Sequence, residues 1–163
     1  IYSDRKITEN EILEFHRTAM NSLQSGAGQF RLQNVQIQGN PEFKTPDWHE
    51  LQGLLKHFFQ EADKETGKKI SACKVVEEAA FLHNEFQRIH PFVDGNSRTA
   101  RAIFIKMLMQ NGFPLVKIPI GFSEQYMKLT KLSRKRDDKK FSCLMKIIAL
   151  ENLKAASRKL EYA

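Results

Sequence analysis

Cysteine is scarce in this chain of 163 residues: Cys73 and Cys143 are the only two. They lie 70 residues apart and make no Cys-x-x-Cys pair, which argues against a zinc site. Both fall on apolar faces of expected helices and read as small buried hydrophobes in a reducing cytoplasm. Glycine and proline are sparse as well, at 8 and 5 residues, and there is no internal repeat, low-complexity segment or clear domain linker. No apolar run approaches the roughly 18 residues of a membrane span, so no membrane partner is expected. No secretory signal is visible at the N-terminus. The chain opens on Ile1 rather than Met and reads as an N-terminally trimmed single domain over 1–163, of cytoplasmic location.

What is present is ordinary globular composition with a basic balance. Hydrophobic residues make up 41% and charged residues 28%, and the net charge is +7. A basic balance favours acidic partners such as nucleotides, nucleic acid or an acidic protein surface. The positive charge is densest from Lys128 to Lys140, where Arg134-Lys135-Arg136 and Lys139-Lys140 flank Asp137-Asp138. That stretch reads as a solvated loop, with a partner-binding patch the other reading. Direct nucleic-acid binding is not expected.

Helical periodicity dominates. Thr8-Glu9-Asn10-Glu11 has the form of a capping box and opens a helix with Ile12, Phe15 and Ala19 on one face. Phe30 and Leu32, then Val35 and Ile37, alternate with polar residues, which predicts a hairpin turning at Gln33-Asn34. Thr45-Pro46 has the N-cap and first-turn chemistry of a second helix, carrying Trp48, Leu51, Leu55, Phe58, Phe59 and Ala62. A third spans about 71–88 and a fourth about 98–110, stopped by Asn111-Gly112. Two more are expected near 123–133 and 141–160. The expected architecture is all-α, a bundle of about six to eight helices with one short β-hairpin flap.

The break between the third and fourth helices is richest in chemistry. His90-Pro91-Phe92-Val93-Asp94-Gly95-Asn96-Ser97-Arg98-Thr99-Ala100-Arg101 leads from one helix into the N-terminus of the next. A helix N-terminus offers free N–H groups and a partial positive charge. Gly95 lets the backbone fold into an anion nest. Asn96 can cap the helix or donate its amide to a phosphate oxygen. Arg98 and Arg101 share a helix face and suit phosphate oxygens. Asp94 supplies a hard oxygen for Mg²⁺. His90 titrates near neutrality and can take a proton from an attacking hydroxyl. Singly, each has a bland reading: a structural His, an Asp-Gly-Asn turn, a solvated basic face. Together they form the equipment of phosphoryl or nucleotidyl transfer, with Phe92 anchoring the loop in the core.

This stretch resembles the signature of the Fic family, His-Pro-Phe-x-Asp/Glu-Gly-Asn-Gly-Arg-x-x-Arg. The resemblance continues outside it. Ala27-Gly28-Gln29-Phe30-Arg31 through Asn34-Val35-Gln36-Ile37 is similar to the family's β-hairpin flap. Phe86-Gln87-Arg88-Ile89 is similar to the lead-in, and Gly112-Phe113-Pro114 to the turn after the motif helix. The resemblance implies a Mg²⁺-dependent nucleotidyltransferase, a protein adenylyltransferase that moves AMP from ATP to a Ser, Thr or Tyr hydroxyl and releases pyrophosphate. It implies His90 as general base and Asp94 as the Mg²⁺ ligand. Gly95, Asn96 and Ser97 would form the anion hole, with Asn96 on the α-phosphate and Arg98 and Arg101 on the outer phosphates. Val35, Gln36, Ile37 and Gln38 would dock the target protein by strand addition. Tyr126 resembles an aromatic near the adenine of relatives, with a buried core tyrosine the other reading.

Ser97 stands where the family usually has glycine. Three consequences stay open: tolerance of a small side chain, a changed site, or a slow or silent one that leaves a nucleotide- or nucleic-acid-binding module. Relatives resembling the phage Doc toxin carry lysine here and move phosphate instead of AMP; this chain lacks that lysine. The family's inhibitory helix, Ser/Thr-x-x-x-Glu-Gly/Asn, would set its glutamate on Arg101. Ser157 to Glu161 has the spacing, but Tyr162 follows. That helix is therefore expected upstream of Ile1, in a partner antitoxin, or not at all.

Overall fold

A computed structural model describes residues 6–64, 70–130 and 136–161. Residues 131–133 of the expected fifth helix, Arg134 and Lys135 of the basic stretch, and Tyr162 lie outside the described residues, as does the side chain of Glu161. Among the described residues there are six α-helices: α1 (Glu9–Met20), α2 (Leu51–Asp63), α3 (Ala72–Ile89), α4 (Asn96–Gln110), α5 (Ser123–Leu129) and α6 (Asp138–Glu161). None is long and apolar enough to cross a membrane.

The capping box forms as expected: the Glu11 amide donates to Thr8 Oγ1 while Glu11 reaches back to the Thr8 amide. The face that α1 buries is Ile12, His16 and Met20, with Phe15 only partly covered. The second helix starts differently from expectation. Asp47, not Thr45, caps a single 3₁₀ turn over Trp48–Glu50, and Glu50 closes its capping box. Thr45 instead donates its hydroxyl to the Val35 carbonyl at 2.6 Å.

α3 and α4 form an antiparallel hairpin at the centre. On one side, Leu55 and Phe58 of α2 and Ile12 of α1 meet Leu82, Phe86 and Ile103. On the other, Phe141, Met145 and Ile148 of α6 and Tyr126 of α5 meet Val75, Ala79 and Phe104. The α3–α4 hairpin is thus packed from both sides, and its loop is anchored on the first. Phe92, fully buried at its tip, contributes about 1.5–3 kcal/mol by burial alone.

The hairpin is placed differently from the sequence expectation. No turn forms at Gln33-Asn34. Asn34 accepts from the Trp48 amide at 2.9 Å and donates to Asp47 at 2.9 Å, which pins this stretch to the start of α2. Phe30 packs on Phe92 at 5.3 Å while Leu32 is 79% exposed, so the two share no face. The reversal lies further on, at Ile37 to Phe43, and pairing is a single antiparallel bridge between Gln36 and Lys44. Both cysteines are exposed and free, contrary to the buried reading, because each lies on the outer side of its helix.

Candidate active site

His90 ends α3 in the left-handed conformation, φ 52° and ψ 56°, and is the one non-glycine with positive φ among the described residues. A side chain there costs about 1–2 kcal/mol. Two contacts hold it. The buried Arg31 donates Nε to the His90 carbonyl at 2.8 Å, with its other nitrogens on the carbonyls of Gln33 and Pro46. The Arg31 amide also donates to the Pro91 carbonyl at 2.9 Å. The ring is set by Nδ1, 3.2 Å from the Gln87 carbonyl. A carbonyl can only accept, so Nδ1 carries the proton and Nε2 keeps its lone pair. Burial is the main cause that lowers the His90 pKa, with Arg31 acting the same way and the Gln87 carbonyl and Asp94 opposing. The imidazole is therefore neutral and basic at Nε2 near pH 7.

Gly95 precedes α4 with φ 79° and makes no side-chain cap. A Cβ here would lie 2.8 Å from Met20 Cγ and Sδ and 3.0 Å from His16 Cδ2, so both backbone and space require glycine. With no side chain capping α4, its first amides are open to an anion. The role expected of Asn96 needs correction. Its Oδ1 accepts from the Phe92 amide at 2.9 Å and its Nδ2 donates to the Phe92 carbonyl at 2.8 Å. Both ends of the amide are engaged in stapling the loop, so Asn96 offers the anion its backbone N–H, not its side chain.

His90, Asp94, Asn96 and Ser97 line one cavity of about 400 Å³, together with Gln36, Ile37 and Gln38 of the flap. That volume suits a nucleotide-sized ligand. Val35 stands back from it, its carbonyl taken by Thr45. Arg98 and Arg101 diverge from the helix end. Arg98 Nη1 reaches Met20 Sδ of α1, and Arg101 Nη1 donates to Ser97 Oγ at 3.0 Å. Among the described residues neither arginine has a carboxylate partner. Tyr126 does not line the cavity. It is buried, its hydroxyl 2.7 Å from His83 Nε2, with the Arg101 guanidinium 5.9 Å above its ring.

Two residues that hold the loop in place escaped the sequence reading. Arg31 is one. The other is His16, wholly buried, whose Nδ1 accepts from the Gly28 amide at 2.8 Å while Nε2 meets the Asp94 carbonyl at 2.9 Å. It stacks on Phe92 with centroids 3.7 Å apart.

Residues 6–108 match the Fic/DOC family model. This chain belongs to the Fic/DOC family. The Drosophila erecta protein adenylyltransferase Fic is 34% identical over 137 residues, which is 83% of this chain and 26% of that protein. The chain therefore spans about a quarter of the length of the curated relatives it matches. Among solved Fic-fold structures, Caenorhabditis elegans Fic-1 (residues 134–508, E274G) superposes with a TM-score of 0.80 at 23% identity, over all of this chain and 47% of that one. BepC of Bartonella tribocorum, solved with bound AMPPNP, superposes with a TM-score of 0.71 at 16% identity, over 89% of this chain and 75% of its own. The stretch from His90 to Arg101 joins α3 to α4, and His90, Asp94, Asn96 and Ser97 of it line the cavity while Arg98 and Arg101 do not.

Proposed function

We propose that this chain is the catalytic domain of a protein adenylyltransferase, moving AMP from ATP to a Ser, Thr or Tyr hydroxyl of a target protein. One observation carries the reading: a neutral histidine with a free Nε2 shares a cavity with the uncapped N-terminus of α4. Relatives named as protein adenylyltransferases support the choice of AMP as the group moved.

The chemistry follows from the residues. The target hydroxyl gives its proton to His90 Nε2 as its oxygen bonds the α-phosphorus. The bond from that phosphorus to the bridging oxygen breaks, and pyrophosphate leaves with the electron pair. The open amides of Asn96 and Ser97 stabilise negative charge on the α-phosphate, and Arg98 and Arg101 flank the same helix end for the outer phosphates. Mg²⁺ fits the donor set: Asp94 is an exposed carboxylate on this cavity, and Mg²⁺ is commonly held by one carboxylate plus substrate phosphates. Bound there, it would neutralise charge on the phosphate oxygens. The flap residues Gln36, Ile37 and Gln38 would seat an extended target segment beside His90. An inhibitory helix or an antitoxin would act at Arg101, which has no carboxylate partner among the described residues. Free exposed cysteines suit a reducing cytoplasm.

ATP labelled at the α-phosphate, incubated with the protein and cell lysate, should label target protein; the His90→Ala variant should not. Label from the γ-phosphate alone would replace adenylylation with phosphotransfer. Saturable nucleotide binding without any transfer would reduce the domain to a binding module.

A further inference from the structure

The serine that departs from the family pattern sits between two hollows. Ser97 lines the cavity of His90. Arg101 and Tyr126 line a second, mostly apolar groove of about 530 Å³ on the far side of α4, with Leu115, Ile118 and Met127. The hydrogen bond from Arg101 Nη1 to Ser97 Oγ joins the two. It draws the guanidinium back one helical turn toward the open end of α4.

The groups behind Arg101 are polarised in one direction. Asn84 donates Nδ2 to the Asp138 carboxylate at 2.9 Å, which leaves its Oδ1 as acceptor. His83 Nδ1 faces that oxygen at 3.3 Å and so carries the proton. His83 Nε2 is then a lone pair, and the Tyr126 hydroxyl must donate to it across 2.7 Å. The hydroxyl proton is thereby used, and the Tyr126 oxygen can only accept. The Arg101 guanidinium lies over the ring of this tyrosine, 5.9 Å from its centroid. Burial holds His83 neutral, its pKa pushed down to about 3, so the direction of the chain does not reverse near neutral pH.

We propose that Ser97, through its hydroxyl, and Tyr126, through its ring, are positioning residues for Arg101, holding its guanidinium at the wall between groove and cavity, one turn from the open end of α4, where it would meet the outer phosphates of a nucleotide. The proposal rests on the reading of that helix end as the nucleotide phosphate site. It gives the serine a purpose that glycine could not serve. An aliphatic side chain at 97 would leave Arg101 with no anchor on the cavity side. Arginine keeps further donors for phosphate while one nitrogen remains on Ser97.

The test compares affinity for ATP with affinity for AMP, both in Mg²⁺, by calorimetry. AMP lacks the outer phosphates and reports whether the rest of the site is intact. Ser97→Ala should weaken ATP binding about five- to tenfold, the loss expected for one charge-assisted hydrogen bond, and Tyr126→Leu, which removes the ring under the guanidinium, about two- to fivefold, each leaving AMP within about twofold. In an Arg101→Ala background neither change should add to the loss. If both variants bind ATP as the parent does while Arg101→Ala loses ATP affinity, Arg101 finds the phosphates unaided and the proposal falls. If ATP and AMP weaken together, the role is structural and the proposal again falls. If Arg101→Ala leaves the ATP-to-AMP ratio unchanged, the underlying reading of the α4 end is what fails.

Discussion

Replacing His16 by phenylalanine isolates the polar half of its role. Phenylalanine keeps an aromatic ring against Phe92, now stacked at 3.7 Å with planes 9° apart, and leaves little cavity. It removes the acceptor for the Gly28 amide and the donor for the Asp94 carbonyl. A buried backbone group left without a partner costs about 1–3 kcal/mol, so two cost about 2–6 kcal/mol. Asp94 is exposed, and water can replace the partner of its carbonyl, which places the expected loss near about 2–3 kcal/mol. For a domain of this size that lowers the melting temperature by about 4–12 °C. Urea unfolding followed by far-UV circular dichroism gives the number directly. His16→Asn, whose Oδ1 can accept from the Gly28 amide, should recover about half of the loss. A His16→Phe midpoint within about 0.5 kcal/mol of the parent would refute the claim that these two bonds hold the loop to α1.

Stability should also fall with acid from a pH near 6.5. Burial lowers the pKa of His16, His83 and His90, so the folded protein binds fewer protons than the unfolded one below that pH. Their contribution is fully present above the unfolded value and declines by up to about 1.4 kcal/mol per pH unit for each group, until its folded pKa is passed. Glu11 and Glu85, with lowered pKa values, add to the loss only below about 4.5. Equal urea midpoints at pH 7.5 and pH 5 would contradict this. Gly95→Ala should lose nucleotide binding and about 2–4 kcal/mol of stability, from left-handed strain and contact with Met20, as calorimetry and unfolding would report. Both thiols should react promptly with a thiol reagent in the native protein; protection of either until unfolding would restore the buried reading.

Where the sequence was legible, the signal was local. The Thr8–Glu11 capping box, the apolar spacing of α2 and α3 and the break at residues 90–97 need only near neighbours to interpret. The members of the site on that break were legible for the same reason. What escaped depends on contacts distant in the chain. Asn34 reads as a turn residue until Asp47 and Trp48 are placed beside it. Asn96 reads as a phosphate donor until both ends of its amide close on Phe92. Arg31 sits in a strand-like pattern, where a charged side chain signals solvent, yet three carbonyls from separate segments enclose it. His16 did leave a trace, lying four residues from both Ile12 and Met20 on the buried stripe of α1.

The bare start of α4 couples ligand and fold. An ordinary helix satisfies its first amides with a serine, threonine or aspartate side chain. This one begins on a glycine, and the amides that would be capped are the ones that face the cavity. A phosphate bound there performs the work of a missing cap. Nucleotide should therefore stabilise the fold through the helix that frames the site, by about 2.7 kcal/mol at a hundredfold excess over its dissociation constant, and raise the melting temperature with it. Occupancy of the site and rigidity of its central hairpin would then rise and fall together, and the level of nucleotide would set how firmly the loop carrying His90 is held.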